Sequence, residues 1–305
     1  MCTKKELQVK FMQVIEEFVK STNVVVENRP EPYGLFHLIF VVSSLALMVA
    51  ICYFARKNNE KTFRIVIFSI GAVLFLSEIY KQFYYLFAAS GEGYDWNIFP
   101  FQLCSVPMYL CMIVGCMKKN RVRDAMCEYL VSIGFLGGIM AYAEPSGILN
   151  AHYFTLIHSC IWHALLIFIA LYILFTKNAC SNIKGYIKAI AVLGGVVLTA
   201  TVLNLIFHNK QDFNMCYISP FYNTPLAVFK DFDVFFQGWL GRYPGRIVSI
   251  IIYIMALVLG GGLIYGTSRL VKKNLTGRRN EDILETETER SEKTAVNTPD
   301  FSYNR

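Results

Sequence analysis

Residues 152–175 read HYFTLIHSCIWHALLIFIALYILF, from His152 to Phe175. The second half of this stretch is apolar enough to sit in lipid, while the first half carries His152, His158 and His163. A membrane-crossing helix needs about 20 mostly apolar residues, and the stretch supplies them. An ionisable side chain inside such a helix is costly and normally faces a cavity or a partner rather than lipid. The stretch therefore predicts a transmembrane helix whose histidines look into something polar.

The same pattern recurs on both sides of it. Of 305 residues, 55% are hydrophobic and 17% charged, and the apolar residues come in blocks rather than at amphipathic spacing. Seven blocks are long and nearly free of charge: Gly34–Ala55, Phe63–Ala88, Pro100–Met117, Ala125–Ala143, Tyr153–Phe175, Ile183–Phe207 and Ile247–Val271. The third, Pro100–Met117, is the shortest. These blocks predict an all-α, polytopic membrane protein with seven transmembrane helices in one domain, residues 34–271.

Charge placement orients it. Arg56, Lys57, Lys61 and Arg64 flank the first connection, Lys118, Lys119, Arg121 and Arg123 fill the third, and Lys177, Lys184 and Lys188 mark the fifth. The second and fourth connections, Ser90–Phe99 and Glu144–His152, hold no Lys or Arg. By the positive-inside rule this places the N-terminus outside, the C-terminus in the cytoplasm and the protein in the cell membrane as a multi-pass chain. The net charge of +7 is thus topology information, and no nucleic-acid partner is expected. Membrane lipids are the expected partners, and no oligomeric state is read from the sequence.

Residues 1–33 read as an amphipathic helix and linker, with Leu7, Phe11, Val14, Ile15 and Phe18 on one face. No cleavable signal peptide is visible there, because Met1–Asn23 is charged and has no continuous apolar core. Residues 272–305 are polar and poor in apolar side chains, which predicts a disordered cytoplasmic tail. The nine cysteines mostly fall in the blocks or near the basic loops, the pattern of free thiols rather than of a secreted disulfide framework.

Depth along each helix sorts the polar groups inside the blocks. His37, Glu78, Lys81, Gln102, His158 and Asn204 all belong to the outer half, with His163 at its floor, while the cytoplasmic halves are almost purely apolar. Glu78 and Lys81, three apart, share a helix face and can neutralise each other. The one-sided distribution predicts a polar cavity open to the outer leaflet or the exterior, in which His163, Glu78, Gln102 and Asn204 converge. His158 and His163 are five apart and point about 140° from each other, unlike the i, i+4 pair of a zinc helix, so no metal is expected. No Gly-rich phosphate loop appears, and no cofactor is expected.

Several segments together resemble the YwaF-like family of bacterial integral membrane proteins, which is similar to an animal transmembrane acyltransferase that makes polyunsaturated ether phospholipids. The matching pieces are GLFHL (34–38), LFLSEIYKQFYYL (74–86), FPFQLCSVPMYL (99–110), GFLGGIMAYAEP (134–145), IWHALLIFIALYIL (161–174) and FNMCYIS (213–219). The resemblance implies a seven-span fold and, for the animal branch, Cys/His acyl transfer on lipid. His163 falls where the family has its fifth-span histidine. At the third span this chain has Gln102 where the bacterial family has a histidine, and the animal cysteine aligns nearer Phe101 than Cys104.

Two function classes follow. One is a lipid acyltransferase or acyl hydrolase, with His163 as general base and Cys104 as a thiol nucleophile deprotonated by His158 or His163. Glu78, Lys81, Gln102, His158 and Asn204 would then line the substrate site, with Glu78 best placed to orient a histidine. The other is a transporter or ligand-binding membrane protein in which the same cluster binds a solute or moves protons. The bland alternatives are a packing histidine at 163, a packing thiol at 104 and a structural Glu78–Lys81 ion pair.

Overall fold

In a computed structural model, residues 4–89, 94–180, 182–210 and 212–296 are described. They form helices with no strand among them, apart from one isolated antiparallel bridge between Val25 and His152. In chain order these are α1 (Lys4–Ser21), α2 (Leu35–Ala55), α3 (Glu60–Tyr84), α4 (Val106–Cys116), α5 (Arg121–Tyr129), α6 (Phe135–Ala143), α7 (Tyr153–Phe175), α8 (Lys184–Ile206), α9 (Ala227–Leu240) and α10 (Arg242–Val296). A π-helical turn, Leu130–Gly134, joins α5 to α6, and a second, Tyr85–Ala89, ends α3.

Among the described residues, six helices are long and apolar enough to cross a membrane: Leu35–Ala55, Glu60–Ala88, Arg121–Ala143, Tyr153–Phe175, Lys184–Ile206 and Arg242–Lys273. The third apolar block differs from the other six. Only Val106–Cys116 of it is helical, and 11 residues at 1.5 Å each reach about 16 Å, half the hydrocarbon core. Residues 99–105 ahead of it are irregular. The backbone of α10 continues as helix past Lys273, whereas the composition from 272 onward predicts disorder. Side chains beyond Lys273 and residues 297–305 lie outside the described set.

Local sequence sets several boundaries. Asn59 caps α3 by accepting from Thr62 N at 2.9 Å, and Asn120 caps α5 by accepting from Val122 N and Arg123 N. At the far end of α4, Arg64 donates to Gly115 O and Cys116 O at 3.0 and 2.7 Å, satisfying carbonyls that the helix end leaves free. Glycine decides how closely α3 and α4 pack. A Cβ on Gly71 would lie 2.8 Å from Met112 N, and one on Gly115 would lie 2.8 Å from Phe68 Cα.

The main core runs through α3, α4, α5 with its π turn, α7, α8 and α10, with Ile67, Met108, Leu130, Ile169 and Ala189 fully buried in it, and two smaller clusters lie around Leu149 and Ile167. Outward faces of α2, α8 and α10 keep large apolar side chains exposed, among them Leu47, Leu198, Leu259 and Leu263, as expected of surfaces that meet lipid. One end of the bundle gathers the basic connections. There Arg123, fully buried, binds Glu60 and donates to Asn178 Oδ1 at 2.8 Å, tying α5 to α3 and to the turn after α7. The other end holds the longer connections and is called the loop-rich end below.

An N-terminal arm crosses that end. Beyond α1, Val26 N donates to Ala151 O at 2.8 Å and Tyr153 N to Val24 O at 2.9 Å, so the arm pairs with the start of α7. α1 itself leaves Leu7, Phe11, Val14 and Phe18 exposed. α9 leaves Val228, Val234, Phe235 and Trp239 exposed and turns into α10 through Gly241, whose φ of 89° is left-handed and favours glycine.

Candidate functional site

Two irregular segments meet at the loop-rich end, residues 99–105 ahead of α4 and residues 213–224 between α8 and α9. Irregular backbone at membrane depth is tolerated only where protein or an aqueous cavity satisfies its polar groups. Here side chains do so. Ile98 O accepts Gln82 Nε2 at 3.0 Å, Pro100 O accepts the Tyr109 hydroxyl at 2.8 Å, and Phe101 O accepts the Cys216 thiol at 3.3 Å. Gln102 O accepts Ser105 N at 2.8 Å, and Cys104 O accepts Trp162 Nε1 at 3.0 Å.

The second segment is bracketed as thoroughly. Asn204 grips one residue from both sides, donating to Met215 O at 3.1 Å and accepting Met215 N at 2.7 Å. Asn214 Oδ1 accepts Ser219 N at 2.9 Å. Arg246 donates to Tyr217 O at 2.7 Å, to Ser219 O at 2.9 Å and to both oxygens of Asp233 at 2.8 and 2.9 Å. Cys216 and Tyr217 are consequently held at φ 52° and 57°, a left-handed conformation uncommon for such side chains.

Of the residues singled out from sequence, Glu78, Lys81, Cys104 and His158 are linked through Lys81, which lies within electrostatic reach of both the thiol and the imidazole. Lys81 Nζ lies 2.8 Å from Glu78 Oε1, which also accepts Gln82 Nε2 at 2.6 Å. Gln82 Oε1 in turn accepts the Tyr94 hydroxyl at 2.5 Å. The Cys104 thiol lies within electrostatic reach of Lys81 and Glu78. His158 stacks on Trp162 with ring centroids 5.2 Å apart, and Trp162 is the residue that donates to Cys104 O.

Gln102 and Asn204 sit instead on the neighbouring turn, Gln102 Nε2 donating to Asn214 O at 3.1 Å next to the residue that Asn204 grips. His163 lies within electrostatic reach of His158. The His163 Nδ1 bonds Ser159 O at 2.8 Å within its own helix, and His163 shares a stripe of α7 with Leu156, Cys160 and Ile167. No hydrogen bond among the described residues links His163 to Cys104. Of His163, Glu78, Gln102 and Asn204, expected from depth to converge, Glu78 lies near Cys104, Gln102 and Asn204 bond the neighbouring turn, and His163 neighbours His158.

Several polar atoms are buried without a hydrogen-bond partner: Glu78 Oε2, Gln102 Oε1 and His158 Nε2, both ring nitrogens of His37, Nδ1 of His152 and, at the end of α5, the Tyr129 hydroxyl. Buried polar groups are normally paired, and each one left over costs stability. Three of these atoms belong to the Cys104 group or the segments around it, and the Tyr129 hydroxyl neighbours Cys216 and Cys104 electrostatically. Sequence reasoning passed over Gln82, Trp162, Tyr129, Cys216, Asp233 and Arg246. Of these, only Cys216 carried a signal, its place in FNMCYIS at 213–219.

Outside the membrane-crossing segments, burial followed by the neighbouring Cys104 pushes the Cys216 thiol well up, and burial with the charges of Cys104 and Cys216 pushes the Tyr217 phenol up to about 12. Both groups stay neutral near pH 7. The two thiols and Tyr217 therefore form one dry neighbourhood between the two irregular segments.

No curated protein and no solved structure matches the chain. Residues 32–261, by contrast, match the TMEM164 family, a span that opens just ahead of α2, takes in the Cys104 group and both irregular segments, and closes within α10. On that match, which covers well over half of its length, the chain belongs to the TMEM164 family.

Proposed function

We propose that the protein carries out acyl chemistry on membrane lipids, as a lipid acyltransferase or acyl hydrolase, with Cys104 as nucleophile and an α7 histidine as its base. The observation that carries this reading is the Cys104 group. At the irregular end of a membrane bundle the Glu78–Lys81 pair lies within electrostatic reach of the Cys104 thiol, Lys81 also within reach of the His158 imidazole, and Glu78 Oε2 and His158 Nε2 are unpaired. The resemblance to a lipid acyltransferase supports acyl chemistry and the fifth-span histidine, while Cys104 is assigned as nucleophile on its surroundings, the animal cysteine aligning nearer Phe101.

In this reading the histidine takes the Cys104 thiol proton and the sulfur attacks a lipid ester carbonyl. The S–C bond forms, the ester C–O bond breaks, and the leaving alkoxide takes the proton from the imidazolium. A second hydroxyl, from a lipid acceptor or from water, then resolves the thioester by the reverse steps and returns the thiol. His158 is the base favoured by geometry, since it stacks on the residue bonded to Cys104 O. His163 is the base favoured by the resemblance. Lys81 and Glu78 supply the charge that orients the reacting groups.

The architecture proposed around this site has seven crossings, with residues 99–105 and α4 together making the seventh. The N-terminus is outside, the tail is cytoplasmic, and the protein resides in the cell membrane. Alternating Lys and Arg in the connections supports that orientation.

The test is reconstitution of the purified protein in vesicles of defined phospholipid, with the lipid pool followed by mass spectrometry. The expected result is redistribution or release of acyl chains, lost in Cys104→Ala. Unchanged lipids together with movement of a solute would replace this reading by the transporter one.

A further inference from the structure

Tyr129 is the last residue of α5, where the helix passes into the π turn Leu130–Gly134. All five residues of that turn are buried, and π turns recur at functional sites. The Tyr129 side chain is fully buried, and its hydroxyl has no hydrogen-bond partner. Its electrostatic neighbours are Cys216 first and then Cys104. The π turn packs against the first turn of α4, where Pro107 Cγ would lie 3.6 Å from a Cβ on Gly134.

Phe101 O and Cys104 O accept the Cys216 thiol and Trp162, and neither accepts the Tyr129 hydroxyl. A phenol is neutral at pH 7 and a good donor. In a dry site such a donor strengthens any interaction with an oxygen that gains negative charge during reaction, and it costs no reorganisation at that moment. An unpartnered donor in the neighbourhood of the thiol proposed as nucleophile is an arrangement that acyl transfer can use.

We propose that the Tyr129 hydroxyl is a further catalytic residue, a hydrogen-bond donor to the carbonyl oxygen of an acyl group bound beside Cys104. This rests on the acyl reading above. It assigns the ligand class as a carboxylic ester or thioester whose carbonyl reaches the space between the two irregular segments, and it separates the jobs of the residues there. Cys104 forms the bond to carbon, the α7 histidine moves the proton, and Tyr129 holds the oxygen.

The deciding variant is Tyr129→Phe, which removes one hydroxyl and keeps the ring in the core. The expected result is a melting temperature equal to or above wild type, because no protein bond is lost, with kcat lower by roughly 10²–10³-fold and KM little changed. Activity within about twofold of wild type would overturn the proposal while leaving the acyl reading intact if Cys104→Ala is still dead. A Tyr129→Phe protein that fails to fold would also overturn it, since a hydroxyl without a partner has nothing to hold.

A second measurement does not depend on turnover. Two proteins are compared side by side, Cys104→Ala alone and Cys104→Ala combined with Tyr129→Phe. Each receives 1-oleoyl-lysophosphatidylcholine labelled with ¹³C at its carbonyl, and the stretch of the bound carbonyl is recorded. A lower frequency in the protein that keeps Tyr129 supports the donor role. Coincident bands overturn it, and absence of any bound band counts against both the donor role and the acyl reading.

Discussion

Two carboxylate–cation pairs are buried at the loop-rich end, and they are built in opposite ways. Asp233 and Arg246 saturate one another: the guanidinium reaches both carboxylate oxygens and two backbone carbonyls, and Asp233 Oδ2 also accepts Thr224 N at 2.8 Å. Glu78 instead gathers Lys81 and Gln82 on a single oxygen and leaves Oε2 unpaired. The first pair is joined at every valence and serves as a rivet between α9, α10 and the 213–224 segment. The second has capacity to spare, and the thiol and imidazole proposed for chemistry lie beside it. At the opposite end of the bundle Glu128 follows the saturated pattern, with Oε2 accepting Cys180 N at 2.7 Å.

The largest effect should come from breaking the rivet. Arg246→Met leaves Asp233 buried and unpaired, which is expected to cost about 3–5 kcal/mol and most of the folded protein, read as loss of monodisperse yield and a lower melting temperature. Adding Asp233→Leu to it should recover much of the loss. An Arg246→Met protein as stable as wild type would erase the distinction between the two pairs.

Next come the residues beside the unsaturated pair. Cys104→Ala and His158→Gln should fold normally yet lose roughly 10²–10⁴-fold in acyl turnover. Running His163→Gln alongside decides which α7 histidine is the base. If His163→Gln is the inactive one and His158→Gln is not, the resemblance outweighs the stacking geometry.

A smaller change is expected from Glu78→Gln. Lys81 keeps part of its side chain accessible (19%) and can turn toward water, so the stability cost should be about 1 kcal/mol or less, well below that of the Arg246 variant. Thermal unfolding of the two variants under one set of conditions compares them directly. Equal costs would mean that the unpaired oxygen makes no difference.

The smallest effect belongs to the saturated carboxylate Glu128. Burial first, then the Glu128 charge, pushes the Cys180 thiol from 9.0 up to about 12. A raised folded value means the associated stability is intact below the unfolded thiol value, near 9, and is lost as pH climbs from there toward 12. Cys180→Ser should therefore flatten the alkaline decline in melting temperature over that window and change nothing at pH 7.

The architecture was mostly legible because transmembrane helices announce themselves by composition, and His152–Phe175 alone fixed the class. Six of the seven apolar blocks became long helices. The third did not, for a reason that no local pattern carries: the carbonyls of residues 98–104 are claimed by Gln82, Tyr109, Cys216 and Trp162, from four different parts of the chain. The site was legible residue by residue but not as a constellation. Helical spacing separates His158 from His163, yet only tertiary packing shows that His158 stacks on Trp162, the residue bonded to Cys104 O. Asn204 and Gln102 read as cavity-lining groups, and their bonds to Met215 and to Asn214 O are set by tertiary packing that no local pattern carries. Tyr129 looks like any core aromatic until its hydroxyl is found without a partner.

The side-chain capture of residues 98–104 also constrains how the protein is made. Gln82 and Tyr109 emerge from the ribosome close to that segment, but Trp162 follows tens of residues later and Cys216 more than a hundred residues after Phe101. Until both have been synthesised, the segment holds carbonyls that lipid cannot satisfy. It is therefore expected to wait at the bilayer surface or in the insertion machinery while α5 to α8 enter, and to settle into place last. Nascent chains halted between α6 and α8 should leave it open to quality-control proteases, and release past residue 219 should close it.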